Sequence, residues 1–379
     1  MALETETIRA FLDAHHLAGA EKMTEIAARW ASRAEPVDDA AARREAREMA
    51  QALGAAGGFE PIAARDWRSC CMMREALAAA SPLADAVFAL QGLGTLPLLL
   101  ADNAAIRERW LEAAIAGRAM AAFAMTESGA GSDVSAMATT ARRDGDEYVL
   151  DGEKTFISNA GIADFYTTFA STDPGAGRKG ISCFVVPADT PRLRFVGPQI
   201  LSCPHPLGTI AFEGCRVPAE CRLGEEGKGL SLGLRTLDRL RPTVGAAACG
   251  MAARALELAL AHARERRQFG KALAEFQLVQ QKLARMATSL AAARLLVYRA
   301  AWVSDRGAER VTLEAAMAKS FATEEAQKIV DDAVQILGGA GVMASHPVDR
   351  LYRAVRALRI YEGTTEIQHL VIAGRLLAG

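Results

Sequence analysis

Between Gly270 and Gly307 the chain contains neither glycine nor proline, and Val279, Leu283, Met286, Leu290, Ala293 and Val297 recur there at steps of four and three. That spacing puts six apolar side chains on one stripe of a single long helix. A second stripe runs through Ala322, Ala326, Ile329, Ala333 and Leu337 and stops at Gly338-Gly339. The segment Val244 to Ala261 is rich in Ala and Gly, which permits close helix approach. Long amphipathic helices of this kind bury their stripes against one another, so residues 226–379 are predicted to form a helix bundle.

The rest of the chain divides by composition. Residues 1–119 are rich in Ala, Leu, Glu and Arg, and Pro36, Pro61, Pro82 and Pro97 are read as helix junctions. Residues 120–225 gain Gly, Thr, Val and Phe. Asp144-Gly145 and Asp151-Gly152 read as hairpin turns flanking Tyr148-Val149-Leu150. Lys154–Ile157, Phe165–Ala170, Ile181–Val186 and Thr209–Phe212 are further strand candidates. The expected fold is α+β and mostly α: an N-terminal helical domain, a central β-domain of short strands and the C-terminal bundle. Two or three domains suit 379 residues, more than one hydrophobic core usually supports.

A net charge of −1 and a pI near 6.6 leave no basic footprint for nucleic acid. The seven cysteines, Cys70, Cys71, Cys183, Cys203, Cys215, Cys221 and Cys249, contain no Cys-x-x-Cys pair and read as free thiols of the cytoplasm. The histidines form no pair at metal-ligand spacing, and the adjacent His15 and His16 are expected to point apart on a helix, so no metal is expected. The early acids of MALETETIRAFLDAHH do not suit a signal peptide. The apolar stretch Leu90–Ala101 is too short for a bilayer, so no membrane association is expected.

Two segments carry candidate chemistry. In "AAFAMTESGAGSDV", Gly129, Gly131 and Ser132 offer amides and a hydroxyl, yet the third glycine and the βαβ unit of a dinucleotide fingerprint are missing. A plain loop is the competing reading. In "LRIYEGTTEIQ", Glu362 and Glu366 are four apart and would share a helical face, but a Gly-Thr-Thr step intervenes. Either Thr364 or Thr365 caps a helix whose positive end favours both acids, or Glu362 is a base in an apolar pocket.

Taken in order, the motifs resemble the acyl-CoA dehydrogenase family over nearly the whole chain, least before about residue 85. "AMTESGAGSDV", "GEKTFISNAG", "LDRLRPTVGAAACG", "RERRQFGKALAEFQLVQQKLARMA", "DDAVQILGGAGV" and "IYEGTTEIQ" carry the resemblance. It implies a C-terminal four-helix bundle, FAD, an acyl-CoA substrate, an electron-transfer flavoprotein as partner and a homotetramer built as a dimer of dimers. The implied reaction removes the α-proton and β-hydride to give the trans-2-enoyl-CoA. Phe123, Met125, Thr126, Gly131 and Ser132 match the isoalloxazine-lining stretch, with Ser132 also near the CoA pantetheine. Phe156 stands where the family often has Trp on the flavin. Ser158 stands where it usually has Thr at flavin N5, and a Ser hydroxyl can make the same bond. Arg266, Phe269 and Gln277 match residues reaching a neighbouring subunit's FAD, and Gln335 and Gly339 match its adenosine-diphosphate contact. Alone, "RERR" also reads as a solvated basic face. Asp238 and Arg241 match the CoA-binding helix. Thr364 and Glu366 match flavin contacts.

Glu362 matches the family's catalytic glutamate. A thioester α-proton is too weakly acidic for a hydrated carboxylate, so the base must lose water and the enolate must meet donors. Gly363 lets the backbone approach the thioester, and Tyr361 forms an apolar wall. The alternative base position, before Arg241, is Leu240 here, which leaves Glu362 as the acid. Three departures stand out. The family's Met-Gly-x-Arg run is replaced by "LSCPHPLGTIAF", whose His205 is read as a solvent-facing loop residue rather than a substrate ligand. Ser128 replaces Pro, and His369 replaces Arg. The expected substrate is a short- or medium-chain, branched or cyclic acyl-CoA. An oxidase on the same scaffold and a non-catalytic flavin-binding homologue are the alternatives.

Overall fold

The computed structural model describes residues 3–378. Helices α1 (Ala14–Ala31), α2 (Asp39–Ala55), α3 (Glu60–Ala64), α4 (Trp67–Ala80), α5 (Pro82–Leu100) and α6 (Ala104–Ile115) come first. Strands β1 (Ala121–Ala124), β2 (Thr140–Asp144), β3 (Glu147–Ser158), β4 (Phe165–Ser171), β5 (Ile181–Pro187), β6 (Leu193–Pro198), β7 (Leu207–Pro218) and β8 (Arg222–Leu223) follow. The chain then returns to helix: α7 (Gly229–Glu265), a small hairpin of β9 (Arg267–Gln268) and β10 (Lys271–Ala272), α8 (Gln277–Asp305), α9 (Thr312–Leu337), α10 (Pro347–Leu358) and α11 (Thr365–Leu377). The fold is therefore α+β and mostly helical, with a central sheet and a C-terminal helical region.

The chain forms two compact units, each assembled from separated stretches. One holds residues 3–35, 66–85 and 238–378; the other holds 36–65 and 86–237. In the first unit, α8 packs on α9 and on α4, and α9 also packs on α10 and α11. The α9 stripe is buried throughout. The α8 stripe is buried from Met286 onward, while Val279 and Leu283 near the helix start are half-covered. In the second unit the strands make one sheet in the order β6-β7-β3-β2-β4-β5-β8, with β1 parallel to β4. Its core includes Tyr148, Phe165, Phe169 and Phe184, all with no more than a trace of exposed surface.

Three expectations are corrected here. Asp144-Gly145 does turn a hairpin, between β2 and β3. Asp151-Gly152 does not; it lies within β3, where the register against β7 slips. Gly152 has φ 139°, and a Cβ there would meet Thr139 Oγ1 at 2.6 Å, so this glycine makes a bulge rather than a turn. Pro97 sits inside α5 rather than at a junction. It falls in the last turn, where the missing N–H costs one bond close to the helix end. Finally, His15 and His16 do not point apart: their ring centroids are 3.8 Å apart, and each Nε2 lies 3.1 Å from an oxygen of Asp66, which caps α4. Helices α5 and α7 are long and apolar enough to cross a membrane by length and composition, and most of each is buried within the protein.

Candidate functional site

Glu362 sits in the turn between α10 and α11, with φ 55° at Glu362 and 93° at Gly363. A glutamate in the left-handed region is strained, and such strain persists only where surroundings fix it. The surroundings are three donors on two carbonyls. Lys319 Nζ donates to Gly363 O at 2.7 Å, Gln368 Nε2 to Gly363 O at 3.0 Å and to Glu362 O at 3.3 Å, and Arg241 Nε to Glu362 O at 3.3 Å. Gly363 is required by its positive φ, and the Gln368 amide packs closely against it. Thr364 then caps α11 by accepting from Ile367 N–H at 3.3 Å, which settles the choice between the two threonines. Among the described residues, the Glu362 and Gly363 N–H groups have no main-chain acceptor.

The carboxylate itself is held differently from its backbone. Glu362 is half-buried, and its Oε2 is enclosed with no hydrogen-bond partner among the described residues. Burial raises its pKa above the ordinary carboxylate range, against the opposing pull of Arg74, Arg241 and Lys319. Arg74 is itself buried and forked onto Asp85, with Nε–Oδ1 2.8 Å and Nη2–Oδ2 2.9 Å, and it also reaches Thr243 Oγ1 at 3.0 Å. Lys319 has no exposed surface, and burial lowers its pKa to about 8. Glu366 is exposed, and its pKa is lowered by hydrogen bonds at the helix start. The two glutamates thus have opposite environments four residues apart. Leu240 is buried and apolar. Asp238 pairs with Arg241 Nη1 at 2.5 Å and accepts from Thr312 Oγ1 at 2.6 Å. Arg241 is consequently turned inward onto the Glu362 turn. Tyr361 keeps 38% of its surface exposed.

Arg266, Phe269, Gln277, Gln335 and Gly339 are all exposed in the same unit. Phe269, 93% exposed with φ 51°, forms the tip of the β9–β10 hairpin together with Gly270. None of these five is drawn into the cluster around Glu362.

The sheet unit brings the other candidates together. Lys154, with no exposed surface, donates to Glu127 Oε1 at 2.7 Å and to Met125 O at 3.2 Å. Glu127 in turn accepts from the N–H groups of Ala138 (2.6 Å) and Thr139 (3.0 Å), closing the loop that carries Gly131 and Ser132. That loop is exposed from Gly131 to Asp133. Phe123 packs on Phe169 at 4.9 Å, Met125 is buried, and Thr126 O accepts from Thr155 N–H at 3.0 Å. The adjacent stretch of β3 slips register against β7 between Lys154 and Ile157. At the slip Phe156 takes φ 55° and stands 60% exposed, with Ser158 half-buried two residues on.

His205 differs from expectation. It is half-buried, not solvent-facing, and its Nε2 lies 2.7 Å from Ser158 Oγ. The flanking Pro204 and Pro206 stiffen the segment, and Pro206 O accepts from Asn159 N–H at 3.0 Å, which turns the ring onto β3. Sequence reading also missed Arg74, Asp85, Lys319 and Gln368. Lys319 left a trace, a lysine three residues before Ala322 on the buried face of α9, and Gln368 closes the motif "LRIYEGTTEIQ". His16, Asp66 and Asp305 lie at metal-ligand spacing, but Ser69 and Arg68 already hydrogen-bond the two carboxylates.

Comparison with known proteins gives one family. Residues 122–215 match the acyl-CoA dehydrogenase middle domain, and residues 227–377 match the acyl-CoA dehydrogenase C-terminal domain. The chain is 45% identical to a 3-(aryl)acrylate reductase of Clostridium sporogenes over 75% of this chain and 76% of that protein. It is 43% identical to the caffeyl-CoA reductase-Etf complex subunit CarC of Acetobacterium woodii over 74% of each. Butyryl-CoA dehydrogenase of Megasphaera elsdenii superimposes with a TM-score of 0.90 at 32% identity, over 97% of this chain and 99% of that one. Fold and sequence together define a flavoprotein oxidoreductase. The chain belongs to the acyl-CoA dehydrogenase family.

Proposed function

We propose that the protein is an FAD-dependent acyl-CoA dehydrogenase. It converts an acyl-CoA thioester to the trans-2-enoyl-CoA and passes the electrons to an electron-transfer flavoprotein. The observation that carries this reading is the Glu362 carboxylate, whose enclosed Oε2 has no partner among the described residues and whose pKa burial raises. A helix-capping acid would be hydrated and hydrogen-bonded, as Glu366 is. A desolvated carboxylate is instead matched to a carbon acid.

The residues fit a flavin. Phe156 offers an exposed apolar plane beside the Ser158 hydroxyl. Phe123, Thr126, Gly131 and Ser132 form the adjoining surface with Met125 buried among them, and exposed Arg266, Gln277, Gln335 and Gly339 suit the diphosphate of a neighbouring subunit's FAD. Bound FAD would supply the hydride acceptor. Glu362 takes the α-proton, and its own N–H, which has no main-chain acceptor among the described residues, donates to the thioester oxygen. Arg241, Gln368 and Lys319 hold the two carbonyls of that turn away from the substrate, so its amides are left to face the thioester. Tyr361 and Gly363 border the acyl group, and Asp238 with Arg241 borders the CoA side. Assembly as a homotetramer and a cytoplasmic location belong to the same proposal. The exposed β9–β10 hairpin supports the first, and seven cysteines with no Cys-x-x-Cys spacing support the second.

The names of two relatives favour a second reading, in which the same residues run the reaction as an enoyl reduction. Glu362 then delivers its proton to Cα, and reduced FAD, when bound, would supply the hydride to Cβ. Anaerobic incubation of the FAD-loaded protein with short, medium, branched and cyclic acyl-CoAs, and separately with enoyl-CoAs after chemical reduction, tests both. Bleaching by a saturated acyl-CoA, followed by faster reoxidation with an electron-transfer flavoprotein than with oxygen, supports the dehydrogenase. Stoichiometric peroxide at a comparable rate makes it an oxidase. No bleaching by any saturated acyl-CoA overturns the proposal.

A further inference from the structure

The segment Gln199–Pro206, between β6 and β7, is built onto the register slip of β3. Gln199 Oε1 accepts from Phe156 N–H at 2.8 Å, and Gln199 Nε2 donates to Thr155 Oγ1 at 3.0 Å. Asn159 N–H donates to Pro206 O at 3.0 Å. From α2, Arg43 donates to Ala160 O on one side and to Leu207 O, at 2.8 Å, on the other, while Asp39 holds its Nε at 2.5 Å. Arg43 also lies over the Phe195 ring at 4.9 Å. Two side chains of the segment therefore fix two successive outward groups of β3: Gln199 takes the backbone of Phe156, and His205 takes the hydroxyl of Ser158.

We propose that His205 is a positioning residue that orients the Ser158 hydroxyl toward the bound flavin. The proposal rests on the reading of Ser158 as a flavin contact. A threonine at such a site would be restrained at χ1 by its β-branch; a serine has no such restraint. The 2.7 Å contact with His205 Nε2 supplies it. A hydroxyl has one proton and two acceptor positions. With the imidazole occupying one of these three, the remaining two point away from His205, so the hydroxyl is available to a ligand in a fixed direction. Burial, aided by the nearby Arg43 cation and opposed by Asp39, lowers the His205 pKa to about 4. The ring is neutral near pH 7 and places no full charge beside the cofactor. In either tautomer it can pair with Ser158, since the hydroxyl can donate or accept.

The test uses the FAD-loaded protein in four variants: His205→Ala, His205→Gln, Ser158→Ala and the double Ser158→Ala/His205→Ala. The readouts are FAD content, the visible flavin absorption band and the rate and substrate dependence of anaerobic flavin reduction. His205→Ala should keep its FAD, shift the band and slow reduction by about tenfold or less, the worth of one net hydrogen bond. The limiting rate should fall with little change in half-saturation. His205→Gln, which can still reach the hydroxyl, should recover most of both signals. The double variant should behave as Ser158→Ala alone, because His205 acts only through that hydroxyl. Independent, multiplying effects in the double variant would overturn the proposal. So would an unshifted band in His205→Ala, or a loss of FAD that His205→Gln does not repair. If no acyl-CoA bleaches the wild type, the dehydrogenase reading fails separately, and the band shifts still decide the role of His205.

Discussion

The ammonium of Lys319 donates a 2.7 Å hydrogen bond to the carbonyl of Gly363, and Lys319 has no exposed surface. A buried cation thus holds the residue after the candidate base by its backbone, and its field also falls on the carboxylate. Lys319 lowers the Glu362 pKa, although burial wins and the net shift is upward.

Replacing Lys319 by Met separates these effects. Without the cation, the Glu362 pKa rises further. Because the base works only when deprotonated, the pH limb of flavin reduction should move to higher pH. Loss of a hydrogen bond from a charged donor should also cost about 1.5–3 kcal/mol of stability. Stopped-flow pH profiles with denaturant melts check both. An unmoved limb would remove Lys319 from the electrostatics of the site.

Arg74 and Asp85 form a buried, two-pronged pair in the same cluster. Arg74→Met should cost about 3–5 kcal/mol, because Asp85 is left buried and unpaired. Arg74→Met/Asp85→Leu should regain much of that in urea melts. Its reduction limb should depend on the balance left at Glu362. Arg74 lowers that carboxyl's pKa and Asp85 raises it, with Arg74 the larger, so the limb should lie above that of the wild type.

Arg266 is exposed just before the β9–β10 hairpin. In the proposed assembly it serves a neighbour's cofactor. Arg266→Ala should lower FAD retained on gel filtration below about one per chain, and the assembly should loosen with it; the charge-assisted bonds at stake are each worth about 1.5–3 kcal/mol. Light scattering and the flavin-to-protein absorbance ratio measure the two together. A monomer with full FAD would contradict the shared-site reading.

The long-range order of the fold was legible because it rests on periodicity. The α9 stripe and most of the α8 stripe are buried as their spacing requires. Phe165–Ala170 and Ile181–Val186 lie within β4 and β5. What failed depends on contacts far apart in sequence. Asp151-Gly152 looks like a turn until Thr139 is packed against Gly152. His205 looks like a loop residue until its partner, 47 residues earlier, is known. Arg74 and Asp85 sit in Ala-rich segments that give no sign of pairing across a helix junction. The Glu362 motif was readable and includes Gln368, but not the convergence of Arg241 from α7 and Lys319 from α9 on its turn.

The most direct measurement is anaerobic stopped-flow reduction of the flavin in Glu362→Gln, with Glu366→Gln beside it. Glutamine keeps the shape of the side chain and cannot accept the α-proton. General-base loss costs about 10²–10⁴-fold, and here the proton opposes the first chemical step, so the upper end or more is expected, with FAD content near that of the wild type. Glu366→Gln should lose little rate and hold its flavin less firmly. In the wild type the reduction rate should rise with pH through a carboxylate pKa above the ordinary range, the direction set by burial of Glu362. A Glu362→Gln protein that bleaches at close to the wild-type rate would contradict the assignment of the base, and with it the account of the site.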